Sequence, residues 1–272
     1  MSNARWLSAA VLAAVVAGGA ALWWWQQQSS PSAEPPPLER PARPTATSAP
    51  AEAVPTNQVR YPLEAPDATP AATDPQSILV DLFGRSAALA AFNLDEFPRR
   101  VAATVDNLGR STAAASLWPV RPARDKFLVE RRADAELVSA DNSLRYTPFV
   151  LLVEGVDMER AAAAYRTLYP LFQQAYEELG YPGKYFNDRV VDVIDLMLAT
   201  PPADARLRVQ LPEVHGPIAP ERPWVTYRFE DPALESLAAG QKILLRMGPV
   251  NERRMKAKLA EFRALIVKPK AR

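Results

Sequence analysis

The chain has 272 residues, a formal net charge of +1 and an ordinary charged fraction of 23%, so no whole-chain attraction to nucleic acid is implied. It has no cysteine, which excludes disulfides, thiol catalysis and cysteine-held zinc or iron–sulfur centres. One histidine, His215, leaves few routes to a Ser–His–Asp site or a metal triad, and no cofactor or metal is expected.

Residues 1–5 precede Trp6–Trp25, twenty residues without a charge. As a helix rising about 1.5 Å per residue, that run covers roughly 30 Å, the thickness of a hydrocarbon core. Trp6 stands at one end and Trp23, Trp24 and Trp25 at the other, the headgroup level that suits an apolar ring carrying a polar N–H. Arg5 and the terminal amine lie before the span, and the next basic residue is Arg40. The expectation is one transmembrane helix, N-terminus in the cytoplasm and the rest outside. The competing reading is a signal peptide cleaved at "GGAA", 18–21. The apolar run continues to Trp25, which favours a retained anchor. Ala9, Ala13, Ala17 and Ala21 share one helix face, a spacing that permits helix association through the anchor but that any Ala-rich span produces by chance.

Residues 26–75 hold twelve prolines among Ala, Ser and Thr, with almost no aliphatic periodicity. Such a stretch buries too little apolar surface to offset its ordering entropy, so a disordered spacer is expected.

The texture changes at 76–268, long enough for one core, with 269–272 as a basic tail. Ile78, Leu79, Leu82, Phe83 and Leu89 recur at helical spacing behind Asp74 as N-cap. Phe97, Val101, Val105 and Leu108 form a second stripe, with Asp95 as cap, Pro98 in the first turn and Gly109 as stop. "KFLVER" from 126 and "AELVS" from 135 read as short strands. A helix from Met158 to Leu179 contains Pro170, which should kink or split it. Residues 185–202 read as a helix closed by two prolines. "ARLRVQL" and "WVTYRFE" alternate and read as an antiparallel pair across a loop holding His215. "LESLAAGQKILLRMG" leans helical, and Met255, Leu259, Phe262 and Ile266 mark a last helix. The fold class is mainly α with a small antiparallel β element (α+β).

Five ordered stretches carry a resemblance: "TVDNLGR" (104–110), "RYTPFV" (145–150), "YPLFQQAYEELGYP" (169–182), "YFNDRVVDVIDLMLATPP" (185–202) and "DPALESLAAGQKILLRMGPVN" (231–251). Together they resemble the bacterial domain of unknown function 3014 family. The resemblance implies an uncharacterised envelope protein, commonly with an N-terminal anchor and a Pro-rich spacer; with the topology expected above, the reading is a single-pass bacterial inner-membrane protein with a periplasmic domain. It transfers no catalytic residue. Ser143 stands where the family often has Tyr.

The strongest enzyme signal is acidic. Asp188, Asp192 and Asp195 share a helix side, and paired carboxylates perform acid–base work when their environments separate their pKa values. The plainer reading is structural, with Arg145 and Arg246 as candidate partners for Asp195. Tyr165, Tyr169, Phe172 and Tyr176 form a face suited to the core or to stacking a ligand, while Tyr181 and Tyr185 flank Pro182 and Gly183. Arg145, Tyr146, Tyr181, Tyr185, Asn187 and Arg246 are the candidate ligand- or partner-binding residues. Residues 252–272 carry eight Lys or Arg against two acids, a solvated helix face more than a lipid contact. "AAGQK" lacks the spacing of a phosphate loop. Three functions remain: a non-catalytic domain binding an envelope protein or glycan, a carboxylate-dependent cell-wall hydrolase, and a scaffold oligomerising through its anchor. Nucleic acid is not an expected partner.

Overall fold

The computed structural model of the chain describes residues 59–63, 74–132, 134–203, 206–212 and 222–267. The chain divides into two units, 1–54 and 55–272, and the first lies wholly outside the described residues. So do the Trp6–Trp25 span, most of the spacer, His215 and the basic tail. Among the described residues no helix is long and apolar enough to cross a membrane.

The second unit is mainly helical with a four-stranded antiparallel sheet. Helix α1 (Pro75–Phe83) starts where Asp74 accepts the N–H groups of Gln76 and Ser77, as its position before a proline suggests. Gly84, at φ 81, ends it and starts α2 (Arg85–Ala91), so the first helical stripe is two helices. Helix α3 (Phe97–Leu108) has the expected Pro98 and Gly109, but its cap is Glu96 in the left-handed region, not Asp95. Strands β1 (Val129–Arg132) and β2 (Ala135–Val138) make a hairpin.

Helix α4 (Asn142–Glu154) has no counterpart in the sequence reading. It contains Pro148, leaves Leu144 and Leu151 exposed and buries only Asn142 and Val150, so it carries no clean stripe. Helix α5 (Met158–Glu178) runs unbroken through Pro170, contrary to the expected split. Leu168, Tyr169 and Phe172 are buried on both sides of the proline, and that packing outweighs the roughly 3 kcal/mol that proline costs a helix interior. Helix α6 (Phe186–Leu198) follows.

Strand β3 (Arg208–Gln210) then adds beside β2, and β4 (Arg228–Phe229) beside β3, in the order β1-β2-β3-β4. The expected pair is present, with Val209 opposite Phe229, but shorter than the alternation implied. Val225 lies in a 3-10 turn and is exposed. Helices α7 (Pro232–Glu235), α8 (Ala239–Arg246) and α9 (Pro249–Ile266) complete the unit.

Three buried clusters hold it together. The largest lies around α5 and α6, with Phe97, Tyr169, Phe172, Tyr176, Phe186, Val191 and Ile266. The tyrosine face of α5 is thus core, its rings in contact with Phe97, Phe186 and Phe262 neighbours. A second cluster joins α4, α6 and α8 through Val150, Val193, Met197 and Leu244. The third seats Leu207, Val209 and Phe229 of the sheet on Leu245 of α8.

Candidate functional site

The start of α6 is unusual in its capping. Tyr185 occupies the N-cap position in extended conformation and makes no side-chain cap. The orphan N–H of Phe186 is instead accepted by Gln173 Oε1 of α5 at 2.8 Å, and that of Asn187 by the Tyr169 hydroxyl at 3.3 Å. With the cap supplied from a neighbouring helix, the polar side chains of Tyr185, Asn187 and Asp188 are left to bond other groups.

What they meet is a stretch of the chain itself. Residues 59–63, placed by composition inside the spacer, lie against this turn with the backbone bent at Arg60 and Tyr61. Asp188 accepts the N–H of Arg60 through Oδ2 at 3.0 Å and that of Tyr61 through Oδ1 at 2.9 Å. The Asn187 amide donates to the Tyr61 carbonyl at 2.9 Å. The Tyr185 hydroxyl accepts the N–H of Leu63 at 2.7 Å. Pro62 has no N–H, so every backbone donor from Arg60 to Leu63 is bonded by a side chain from Tyr185 to Asp188.

Side chains add to this. Tyr61 and Leu63 pack on the largest core cluster, while Val59, Arg60 and Pro62 are exposed. Arg60 Nη2 reaches Asp192 Oδ2 at 2.6 Å, and the Asp192 carboxylate holds that guanidinium above its ordinary pKa against partial desolvation. Asn187 is fully buried. Its oxygen accepts the Tyr165 hydroxyl at 3.0 Å, and its amide also reaches Ile266 O at 3.3 Å.

Asp195, one turn further along α6, pairs with two guanidinium nitrogens of Arg263 from α9, Nε and, at 2.8 Å, Nη2. This corrects the candidate partners Arg145 and Arg246. Arg263 is held above its ordinary value by Asp195 first, with Tyr61 contributing. The tyrosine therefore sits beside the Asp195–Arg263 pair.

The remaining candidates lie elsewhere. Arg145 donates to the carbonyls of Arg124 and Asp125, both at 3.0 Å, and to Asn142 Oδ1 at 3.2 Å. It pins a turn in which Asp125 adopts φ 66. Tyr146 packs on the second cluster under the Arg145 guanidinium. Arg246 donates to Tyr227 O at 2.9 Å and lies 5.0 Å from the Phe229 ring. Burial holds its pKa below the ordinary value, partly offset by Tyr146 and Glu235. Tyr181 stacks on Tyr176 at 4.6 Å, donates to Asp106 at 3.0 Å and accepts from Arg110 at 2.5 Å. Arg189 bonds the Asp106 carbonyl at 2.6 Å, closing that corner.

Of the nine candidates Asp188, Asp192, Asp195, Arg145, Tyr146, Tyr181, Tyr185, Asn187 and Arg246, the structure thus brings four to one place, Tyr185, Asn187, Asp188 and Asp192, with Asp195 next to them. Sequence reading missed Arg60, Tyr61, Gln173 and Arg263. Arg60 and Tyr61 were readable only as an isolated basic–aromatic pair within a Pro-rich run. A separate open groove of about 420 Å³ lies between α1 and α5, and the Arg160–Asp81 ion pair at 3.0 Å borders it. Among the described residues no three His, Asp or Glu side chains are placed to hold a metal ion.

The family described as "Protein of unknown function (DUF3014)" matches residues 97–263, more than half of the sequence. No curated protein and no solved structure matches the chain.

Proposed function

Starting from the fact that the chain belongs to the DUF3014 family, we propose that it is a non-catalytic binding module of the cell envelope. In this reading Trp6–Trp25 anchors it in the bacterial inner membrane, the Pro-rich spacer extends from it, and the domain works in the periplasm. Its ligand is another envelope protein.

One observation carries this. The first turns of α6 bond a bent polypeptide segment through its main chain, with a carboxylate accepting two successive N–H groups and a buried amide donating to the carbonyl that follows them. Amide-to-backbone pairing of this kind suits a protein ligand over a glycan, which offers no N–H/C=O alternation. The same geometry disfavours the hydrolase reading. Asp188 has an oxygen committed to each N–H, and Asp192 and Asp195 are each paired to an arginine. Acid–base work needs a carboxyl oxygen open to the substrate, and these oxygens are taken up by backbone N–H groups and guanidinium groups instead.

The test places a photocrosslinking amino acid at Lys184, exposed beside Tyr185, in the full-length protein in its own membranes. Adducts with envelope proteins that disappear with Asp188→Ala support the reading. Solubilisation of purified sacculi by the wild-type chain, abolished by Asp188→Asn, Asp192→Asn and Asp195→Asn together, overturns it in favour of the hydrolase. A reporter fused to the C-terminus that is active in the cytoplasm removes the envelope assignment.

A further inference from the structure

We infer that the face formed by Tyr185, Asn187, Asp188 and Asp192 is a sequence-selective peptide site. The chain's own Arg60–Leu63 fills it in cis, and a segment of another protein, with a cation followed by an aromatic ring, a proline and an apolar residue, displaces it. This rests on the binding-module reading and adds the ligand's chemistry and its competitor.

Each position of the motif is read by something specific. The cation faces two carboxylates, Asp192 at 2.6 Å and Asp188 at 3.9 Å. The ring that follows enters the edge of the core beside the Asp195–Arg263 pair, and its carbonyl meets a fully buried asparagine. The next residue is exposed, and a proline there leaves no N–H unbonded and restricts the chain. The apolar residue after it is half-buried and gives its N–H to Tyr185. Ring and apolar residue are both half-buried, while the cation before them and the proline between them are exposed.

The occupant is separable from the site. The family match, 97–263, contains Tyr185, Asn187, Asp188, Asp192, Asp195 and Arg263 and starts well after Leu63. The Arg60–Asp192 pair is about half exposed on each side, 51% and 46%, so water and salt screen it. The hold on the segment is three N–H bonds, two carbonyl bonds and two half-buried side chains. A tethered occupant also acts at an effective concentration on the order of millimolar, which weakens a competitor by mass action. Releasing the tethered segment therefore strengthens binding in trans, while damaging the α6 face weakens it. A merely structural clip produces neither effect.

The experiment measures fluorescence anisotropy of a labelled peptide reproducing residues 57–66, titrated with full-length protein in detergent micelles. Three forms are compared: wild type, Arg60→Ala with Tyr61→Ala, and that double variant with Asp188→Ala added. The double variant is expected to bind at least about tenfold tighter than wild type, and the triple variant to lose at least about tenfold, about 1.4 kcal/mol each way. A control peptide with the Arg and Tyr replaced by Glu and Ala should not bind. A folded double variant that binds no better than wild type overturns the inference, as does a triple variant that binds equally well.

Should the double variant fail to fold, amide exchange of the wild-type chain decides. Excess peptide should deprotect the Arg60, Tyr61 and Leu63 amides and leave those of α6 protected; unchanged exchange overturns the proposal. A concentration-dependent dimer that keeps those amides protected would make the occupant a second copy and also overturn it. Loss of the envelope crosslinks with intact peptide exchange would instead sink the binding-module reading alone.

Discussion

Asp188 Oδ1 accepts the N–H of Tyr61 at 2.9 Å, across 127 positions of sequence, while its Oδ2 takes the N–H of Arg60. One carboxylate, 14% exposed, thus fixes two successive peptide units. Charge-assisted bonds of this type are worth about 1.5–3 kcal/mol each, less the entropy of ordering the segment. Asp188→Ala is expected to cost about 1–3 kcal/mol and to abolish exchange protection at Arg60 and Tyr61. Undiminished protection at those amides would show that the packing of Tyr61 and Leu63 alone holds the segment.

Asn187 is expected to be less tolerant than Asp188. Its side chain is fully buried and satisfies Tyr165, Tyr61 and Ile266 at once. Truncation to Ala leaves three polar groups without that partner, for a loss of roughly 2–4 kcal/mol in urea unfolding. Asn187→Asp should be worse, because a carboxylate would replace the donor facing two carbonyl oxygens. Equal midpoints for wild type and Asn187→Ala would contradict the network.

Gly240 is where α8 approaches α6 and α3 most closely. A Cβ built there would meet Met197 Cγ at 3.1 Å and Leu108 O at 3.3 Å. Alanine ordinarily favours a helix interior by about 1 kcal/mol over glycine, but the Leu108 carbonyl belongs to a helix end that cannot yield cheaply. Gly240→Ala is expected to give a net loss of about 1–2 kcal/mol, read as a lowered Tm. A raised Tm would mean that Met197 swings aside and the backbone gap opens freely.

The buried tyrosines set an alkaline limit. Burial pushes the Tyr165 and Tyr169 hydroxyls well above the usual tyrosine range, with Tyr185 adding to it, and raises Tyr176 in the same direction. The folded state therefore holds their protons more tightly than the unfolded state does. That contribution is complete below the unfolded value near pH ~10 and is lost as pH rises beyond it. The urea midpoint should be flat up to about pH 9 and fall steeply above about pH 10, with tyrosinate absorbance rising in step with unfolding. A titration in which all eight tyrosines ionise near their ordinary value while the protein stays folded would refute this.

Much of the helical scaffold was legible because it rests on local rules. Asp74 before Pro75, Gly109 after a periodic stripe and the spacing of Leu259, Phe262 and Ile266 each specify a helix end or face without reference to the rest of the chain. Helix α4 was not legible, since its residues are apolar on several sides and only contact with α6, α8 and α9 decides which of them is inward. Pro170 misled for the opposite reason: its local cost is real, but the burial around it is greater.

Within the site, the sequence by itself determined the chemical types available: tyrosines, an asparagine and aspartates gathered at the start of one helix, with neither thiol nor a second histidine. It also determined that Asp188 and Asp192 lie one turn apart on a common side of that helix. Tertiary structure alone decided what they face. Gln173 caps α6 from α5, Arg263 arrives from α9 to take Asp195, and Arg60–Leu63 comes from the Pro-rich run to take the rest. Hydrogen bonds between residues 68 to 128 positions apart leave no periodic trace, because each depends on where whole elements pack and not on what neighbours a residue has in sequence.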